Sequence, residues 1–229
     1  THKVEWTYDE EGNNITHTSY FGVDGNPCLH KNGYASFKSE YDDRGNITRT
    51  SYYGVDGNPC LHKDGNASFR SEYDDRGNII RQSYFGVDGQ LCLTKNGYAA
   101  MVWEYDERGN QNKESYFGVN NEPCLCVNNF ASGTIAYDER DNPIRSRFFG
   151  VDGKPCLHKD GYASIIFTYD ESGEFIESKF LDLDGNEVSV IPDDRTSEMM
   201  PAVALAEILS DSPAAEIGVP VNSILLLYD

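Results

Sequence analysis

The sequence predicts an all-β repeat array: an elongated stack of antiparallel β-hairpins over residues 1–190, with a parallel β-solenoid as the alternative, followed by a small α+β segment. Three observations carry this. A unit of about 32 residues recurs at fixed spacing, hydrophobicity within the unit alternates with period two, and Asp, Asn and Gly clusters punctuate it at constant places.

The repeat is read first, because a fixed period decides the architecture. Tyr-Asp occurs at Tyr8, Tyr41, Tyr73, Tyr105, Tyr137 and Tyr169, in steps of 33 and then 32 four times. The first step is longer because Asp9–Ile15 (DEEGNNI) carries one residue more than Asp42–Ile47 (DDRGNI). A surface turn tolerates such an insertion.

Each unit opens on a strand. Counting back in twos from the tyrosine gives Val4, Trp6 and Tyr8 in the first unit and Ala67, Phe69, Ser71 and Tyr73 in the third. The positions between, such as Ser68, Arg70 and Glu72, are polar, which describes a strand with one face buried. Asp-x-x-Gly-Asn follows, where Gly45 can take positive φ and the chain reverses. A second strand follows, ITRTSYYGV at Ile47–Val55 and IIRQSYFGV at Ile79–Val87. Its adjacent aromatics suggest that both faces are partly covered, or that Gly54 and Gly86 mark a bulge. Two Asp-Gly turns then bracket Cys60-Leu61-His62, leaving room for a very short third segment. A lone hairpin is marginal in water, so the units must stack and bury their aromatic columns against one another. A four-stranded propeller blade needs about 40 residues or more, beyond what the unit supplies.

The net charge of −19 argues against nucleic acid and anionic membrane surfaces as partners. The 15 Tyr and 11 Phe are too many for a disordered chain. No apolar run approaches the roughly 18–20 residues of a membrane span, so no membrane insertion is expected. The chain opens on Thr1 rather than Met and is read as a processed product or piece, which leaves the compartment undecided.

The recurring chemistry is Cys-Leu-His. Cys28, Cys60, Cys92, Cys124 and Cys156 fall 32 apart, with Cys126 extra. Units two strands apart would hold neighbouring cysteines about 9–10 Å apart, beyond the ~7 Å limit for a disulfide. Free, mostly buried thiols are expected, favouring a reducing or anaerobic setting. Cys60 with His62, and likewise Cys28 with His30 and Cys156 with His158, share one side of an extended segment. Two ligands fall short of a zinc set, and Thr94 and Cys126 replace the histidine in the third and fourth units. No orienting third group recurs for nucleophilic catalysis. The pair is therefore read as packing, with no metal, cofactor or catalytic residue assigned. Asp182-Leu183-Asp184-Gly185-Asn186-Glu187 lacks calcium-loop spacing and is read as another hairpin turn. Tyr34, Tyr98 and Tyr162, just after a turn, are expected at the surface and are the candidates for stacking on a sugar or a cationic ligand.

The units, with YDDRGNI, SYFGVDG and KDGYA, resemble tandem Tyr-Asp-x-x-Gly-Asn repeats of bacterial proteins and, more distantly, MORN-type and YD-type hairpin repeats, over roughly Val4–Val188. The resemblance implies an interaction or architectural module. The repeat ends near residue 190; 191–198 reads as a linker, and 199–229 contains AVALAEI, SPAAEIG and ILLLY. Ser212 with Pro213 gives a helix start and Gly218 a stop. This order resembles the front of a PDZ domain, which implies a peptide-binding strand beginning at Pro201, Ala202, Val203 and Ala204. Asn222-Ser223 departs from the usual Gly-Asp, and a simple cap on the repeats fits the same residues. The expected function is a non-enzymatic scaffold: a repeat spacer carrying a PDZ-like module for a protein or peptide partner. The alternative is an array binding cell-wall or polysaccharide ligands through exposed aromatics.

Overall fold

The computed structural model describes residues 3–190. The expected strands form: β1 (Lys3–Tyr8), β2 (Ile15–Phe21), β3 (Ser36–Tyr41), β4 (Ile47–Tyr53), β5 (Ser68–Tyr73), β6 (Ile79–Phe85), β7 (Ala100–Tyr105), β8 (Gln111–Phe117), β9 (Ser132–Tyr137), β10 (Pro143–Phe149), β11 (Ser164–Tyr169) and β12 (Phe175–Leu181). There is no helix among the described residues, and hence none long and apolar enough to cross a membrane. The chain divides into two compact units, residues 3–101 with 118–122 and residues 102–117 with 123–190. Within each, sheet order is chain order. The pairings of β1 through β6 and of β8 through β12 are antiparallel, so the hairpin array holds and the parallel solenoid does not. The linker and the PDZ-like segment, with Pro201, Ala202, Val203 and Ala204, lie outside the described residues.

The Asp-x-x-Gly-Asn turns close as their residues require. Asp42 donates its amide to Asn46 O, and its Oδ1 accepts the amides of Arg44 and Asn46 at 2.9 and 2.8 Å. Gly45 sits at φ +84°, where a Cβ is disfavoured. Asp141 takes the same conformation, φ +64°, where the fifth turn has no glycine, a role Asp tolerates. The extra residue of the first turn is absorbed by closing Asp9 onto Asn14.

Strict alternation fails at one place, and it is not Gly54 or Gly86. Those glycines follow the strand ends and start the next turn, as in Gly54 N–H to Asn58 O at 2.9 Å. The register shifts instead at the repeat tyrosine, between Glu40 and Tyr41 and between Glu72 and Tyr73. A bulge re-aims a side chain, and here the tyrosine hydroxyl reaches the preceding hairpin. Tyr41 donates to Ile15 O, Tyr73 to Ile47 O, Tyr137 to Gln111 O and Tyr169 to Pro143 O, at 2.7–3.0 Å. The invariant Tyr-Asp pair therefore does two jobs, in which Asp closes its own turn and Tyr clamps the turn before it.

The adjacent aromatics of the second strand split between faces. Tyr52 and Tyr84 are fully buried, while Tyr53 and Phe85 are half-buried on the other face. There Lys38 and Arg70 lie over their rings, 5.4 and 5.2 Å from the centroids. The buried face also carries polar residues, Thr50, Gln82, Glu114 and Ser146, all at most 1% exposed. Cross-strand bonds accommodate two of them, Ser39 Oγ with Thr50 Oγ1 at 3.2 Å and Gln82 Nε2 to Ser71 Oγ at 3.0 Å, while Glu114 Oε1 accepts from Tyr116 on its own strand at 2.8 Å.

Candidate functional site at the Cys-Leu-His loops

The loop from Gly22 to Ala35, and its copies, connects one hairpin to the next through two tight turns. In the second copy, Asp56 Oδ1 accepts the Asn58 amide, and the chain meets β4 at a single bridge between Pro59 and Tyr53. Cys60 N–H then donates to Tyr52 O at 3.1 Å, and His62 N–H to Asn66 O at 2.8 Å. The expected short third strand is thus one bridge and two backbone bonds, which suffice to fold the loop over the buried face.

The histidine ring is interior at His62 and His158 and half-buried at His30 in the first copy. His62 is 3% and His158 8% exposed. His62 stacks on Tyr52 at 4.9 Å and on Tyr34 at 5.7 Å, and His158 on Tyr162 at 4.6 Å. Nδ1 of His62 lies 3.2 Å from the Asp64 amide nitrogen and 3.1 Å from Asp64 Oδ2; it can accept from the first or donate to the second, not both. Burial holds His158 well below the usual imidazole range, at about 4, although the Asp160 carboxylate works against it. The ring is neutral at pH 7. Where the histidine is replaced, the slot stays interior: Thr94 is 6% exposed, with Oγ1 donating to Tyr98 O at 3.0 Å, and Cys126 is 7% exposed. A slot that accepts His, Thr or Cys is defined by volume and burial rather than by ligand chemistry.

No disulfide joins any of the six cysteines among the described residues. The five that follow the repeat are half-buried rather than mostly buried as expected, and only Cys126 is buried. Cys60, Cys92 and Cys156 direct Sγ at the carbonyls of Gly33, Gly65 and Asn129 in the preceding loop, each at 3.8 Å. Burial first, and the nearby carboxylates of Asp56, Asp88 and Asp152 second, push these three thiols above their ordinary value. They are poor nucleophiles, because the thiolate is the reactive form. Backbone bonds lock successive loops together beside them: Lys63 N–H to Asn32 O, Lys95 N–H to Asp64 O and Lys159 N–H to Asn128 O, at 2.7–2.9 Å. No cluster of three or more potential metal ligands occurs among the described residues.

Tyr34, Tyr98 and Tyr162, expected at the surface, are 5%, 1% and 7% exposed. This corrects their assignment as ligand-stacking residues. Each sits where the loop turns inward, and its ring packs on the second-strand aromatics, Tyr34 on Tyr52 at 4.9 Å and Tyr162 on Phe180 at 4.9 Å. A ring with no free face cannot take a sugar. The expected aromatic column holds at Phe69 and Trp103, whereas Trp6 on the edge strand β1 is 55% exposed.

The loops present leucine instead. Leu29, Leu61, Leu93, Leu125 and Leu157 are 56%, 50%, 53%, 44% and 38% exposed. The signal was in the spacing: if Cys and His share one side of an extended segment, the residue between them faces the other way. The valine of each Gly-Val turn, as at Val55 and Val87, is exposed too.

No family model matches the chain, and no curated protein does. Among solved structures, the chain is similar to a TccC3 mutant of the Photorhabdus luminescens Tc holotoxin pore at 14% identity, covering 81% of this chain and 9% of that one, with TM-score 0.39. It is similar to a TcdB2-TccC3 structure at 12% identity, covering 77% and 9%, with TM-score 0.35. It thus spans 9% of the length of these chains, and likeness at these scores assigns neither family nor function.

Proposed function

We propose that this chain is a non-enzymatic interaction scaffold: a β-hairpin spacer that displays an exposed apolar side chain at the same point of successive repeats to a protein or peptide partner. The observation that supports this is the division of labour within Cys-Leu-His. Cysteine and histidine are turned toward the neighbouring loop and the ring stack, while each intervening leucine faces solvent at 38–56% exposure. Large apolar side chains repeated on a rigid surface are what a protein partner can desolvate. The likeness to Tyr-Asp-x-x-Gly-Asn and MORN- or YD-type repeats supports an architectural role, and the PDZ-like reading of 199–229 supplies a further peptide-binding module in the same proposal. The polysaccharide alternative loses its support, because the three tyrosines it used are core residues.

The test is capture from an extract of the organism that encodes the chain, comparing wild type with Leu61→Ser/Leu93→Ser. A partner held by the wild type and released by an equally folded variant supports the reading. Equal capture by both, or turnover of a substrate by the chain, overturns it.

A further inference from the structure

We propose that the open sheet face of the first compact unit carries an anion site, a shallow cell floored by Ser51 and Ser68 and rimmed by Lys38, Arg49 and Arg70, whose ligand is a phosphate group. The strand register builds it. Across the joint between β4 and β5, Ser51 stands opposite Ser68 and Arg49 opposite Arg70. Lys38 on β3 stands opposite Ser51, and Phe85 on β6 opposite Ser68. Alternation puts all of these on the face that carries Tyr53 and Phe85, away from the buried ring column. Two small side chains, with Ser68 at the bottom at 6% exposure, are thus set among three long cationic ones.

Other arginines of the array are occupied by the fold: Arg44 donates to the carbonyls of Asp74 and Asp75, Arg81 to Asn121 Oδ1 and Arg140 to Glu171 O. The side chains of Lys38, Arg49 and Arg70 donate no hydrogen bond among the described residues. Their one ion pair there is Arg49 Nη1 with Glu40 Oε1, at 3.8 Å, while Glu72 stands opposite Arg81. Lys38 and Arg70 are exposed, each resting on a ring, Tyr53 and Phe85, which leaves the other side of the cation to solvent. The cell is therefore basic in a chain of net charge −19, and the repulsion of distant carboxylates is screened beyond about 8 Å at physiological ionic strength. Like charges directly opposite destabilise a sheet, so an anion between Arg49 and Arg70 relieves a strain that the bare face retains. Guanidinium forks match phosphate oxygens two at a time, and a dianion answers the charge of the rim. The basic rim is not a by-product of the repeat. At the joint of β8 and β9 the floor recurs as Ser115 opposite Ser132, but Lys113 stands opposite Thr134 and is paired with Glu104 at 2.6 Å. None of the exposed leucines takes part, so the site stands apart from the scaffold reading.

The experiment is an amide NMR titration of the whole 229-residue chain at pH 7. Two probes are used, sodium phosphate and a short neutral peptide bearing one phosphoserine, each against sodium chloride of equal ionic strength. The expected result is a saturable shift of the amides around Lys38, Arg49, Ser51 and Arg70 that chloride does not reproduce. Arg49→Gln and Arg70→Gln should each weaken binding about tenfold or more, the worth of one charge-assisted hydrogen bond. Ser51→Val, which suits a strand and fills the floor, should abolish it with an unchanged circular dichroism spectrum. Lys113→Gln, at the equivalent cell without the basic rim, should bind as the wild type does. Tighter binding of the phosphopeptide assigns the ligand to a phosphorylated protein, and tighter binding of free phosphate to a small molecule; either supports the site. No shift beyond that of chloride with either probe, or Arg49→Gln and Arg70→Gln chains that bind as the wild type does, would overturn the proposal.

Discussion

Replacing Tyr73 by phenylalanine removes one oxygen and leaves the ring in place. That hydroxyl donates to Ile47 O at 2.8 Å across the joint between two hairpins, so the substitution isolates the clamp from the packing. A net hydrogen bond is worth about 1 kcal/mol, which for a chain of this size lowers the thermal midpoint by roughly 2–4 °C. The chain supplies its own control, because Tyr8 holds the same repeat position on the edge strand β1 at 51% exposure. Tyr8→Phe should stay within about 0.5 kcal/mol of wild type. The two variants are to be compared by thermal and urea denaturation followed by circular dichroism. A second readout separates clamp from general damage. Burial raises the Tyr73 hydroxyl above its ordinary 10.0, so in the unfolded chain it ionises first. Its stabilisation is complete below pH 10 and is lost as pH rises through the raised folded value. Tyr73→Phe should therefore flatten the alkaline fall in stability. If both variants behave alike in midpoint and in alkaline slope, the clamp carries no energy and the account of the joint is wrong.

Four further outcomes are expected. Phe69, fully buried, should cost about 3–5 kcal/mol when changed to alanine, and a loss under 1 kcal/mol in urea denaturation would contradict the buried ring column. Tyr98→Ala should likewise destabilise by several kcal/mol, so any ligand loss it produced would track unfolding. Gly77→Ala forces a side chain into φ +87° with open space around it, so the cost of roughly 1–2 kcal/mol is conformational alone; Gly77→Asn should restore part of it. Acid should act in two stages: His158, held at about 4 by burial, contributes stability present above its ordinary 6.5 and lost as pH falls toward 4. The turn carboxylates follow, Asp56 through its bonds to Asn58 and Asp42 because its bonds to Asn46 and Arg44 outweigh burial. His158→Gln should remove the first stage and leave the second.

Much of the fold was legible because period and alternation are properties of covalent order. Tyr73 marks the unit, Phe69 the inward face and Gly45 the reversal, and none of these readings needs a partner strand. The site was legible only in part. The two-residue spacing of Cys60 and His62 puts them on one side of the segment; the structure buries the histidine and leaves the cysteine half-buried. The same spacing turned Leu61 outward, yet an apolar letter beside two packed residues reads as packed itself. Tyr98 was misplaced for the converse reason: it follows a turn, and turns lie at surfaces, but this loop folds back over the sheet and carries its ring inside.

The sequence by itself determined the repeating hairpin, its turn chemistry and which face of each strand is apolar, because backbone preference and side-chain alternation act within a few residues. Only the tertiary structure decided between hairpin stack and solenoid by pairing each hairpin with the next in chain order, aimed the hydroxyl of the tyrosine bulge at the hairpin before it, and folded the loops over the ring column while exposing leucine. Those outcomes depend on where a second hairpin lies, and the energy of burying a ring or satisfying a carbonyl belongs to the pair of hairpins rather than to either one.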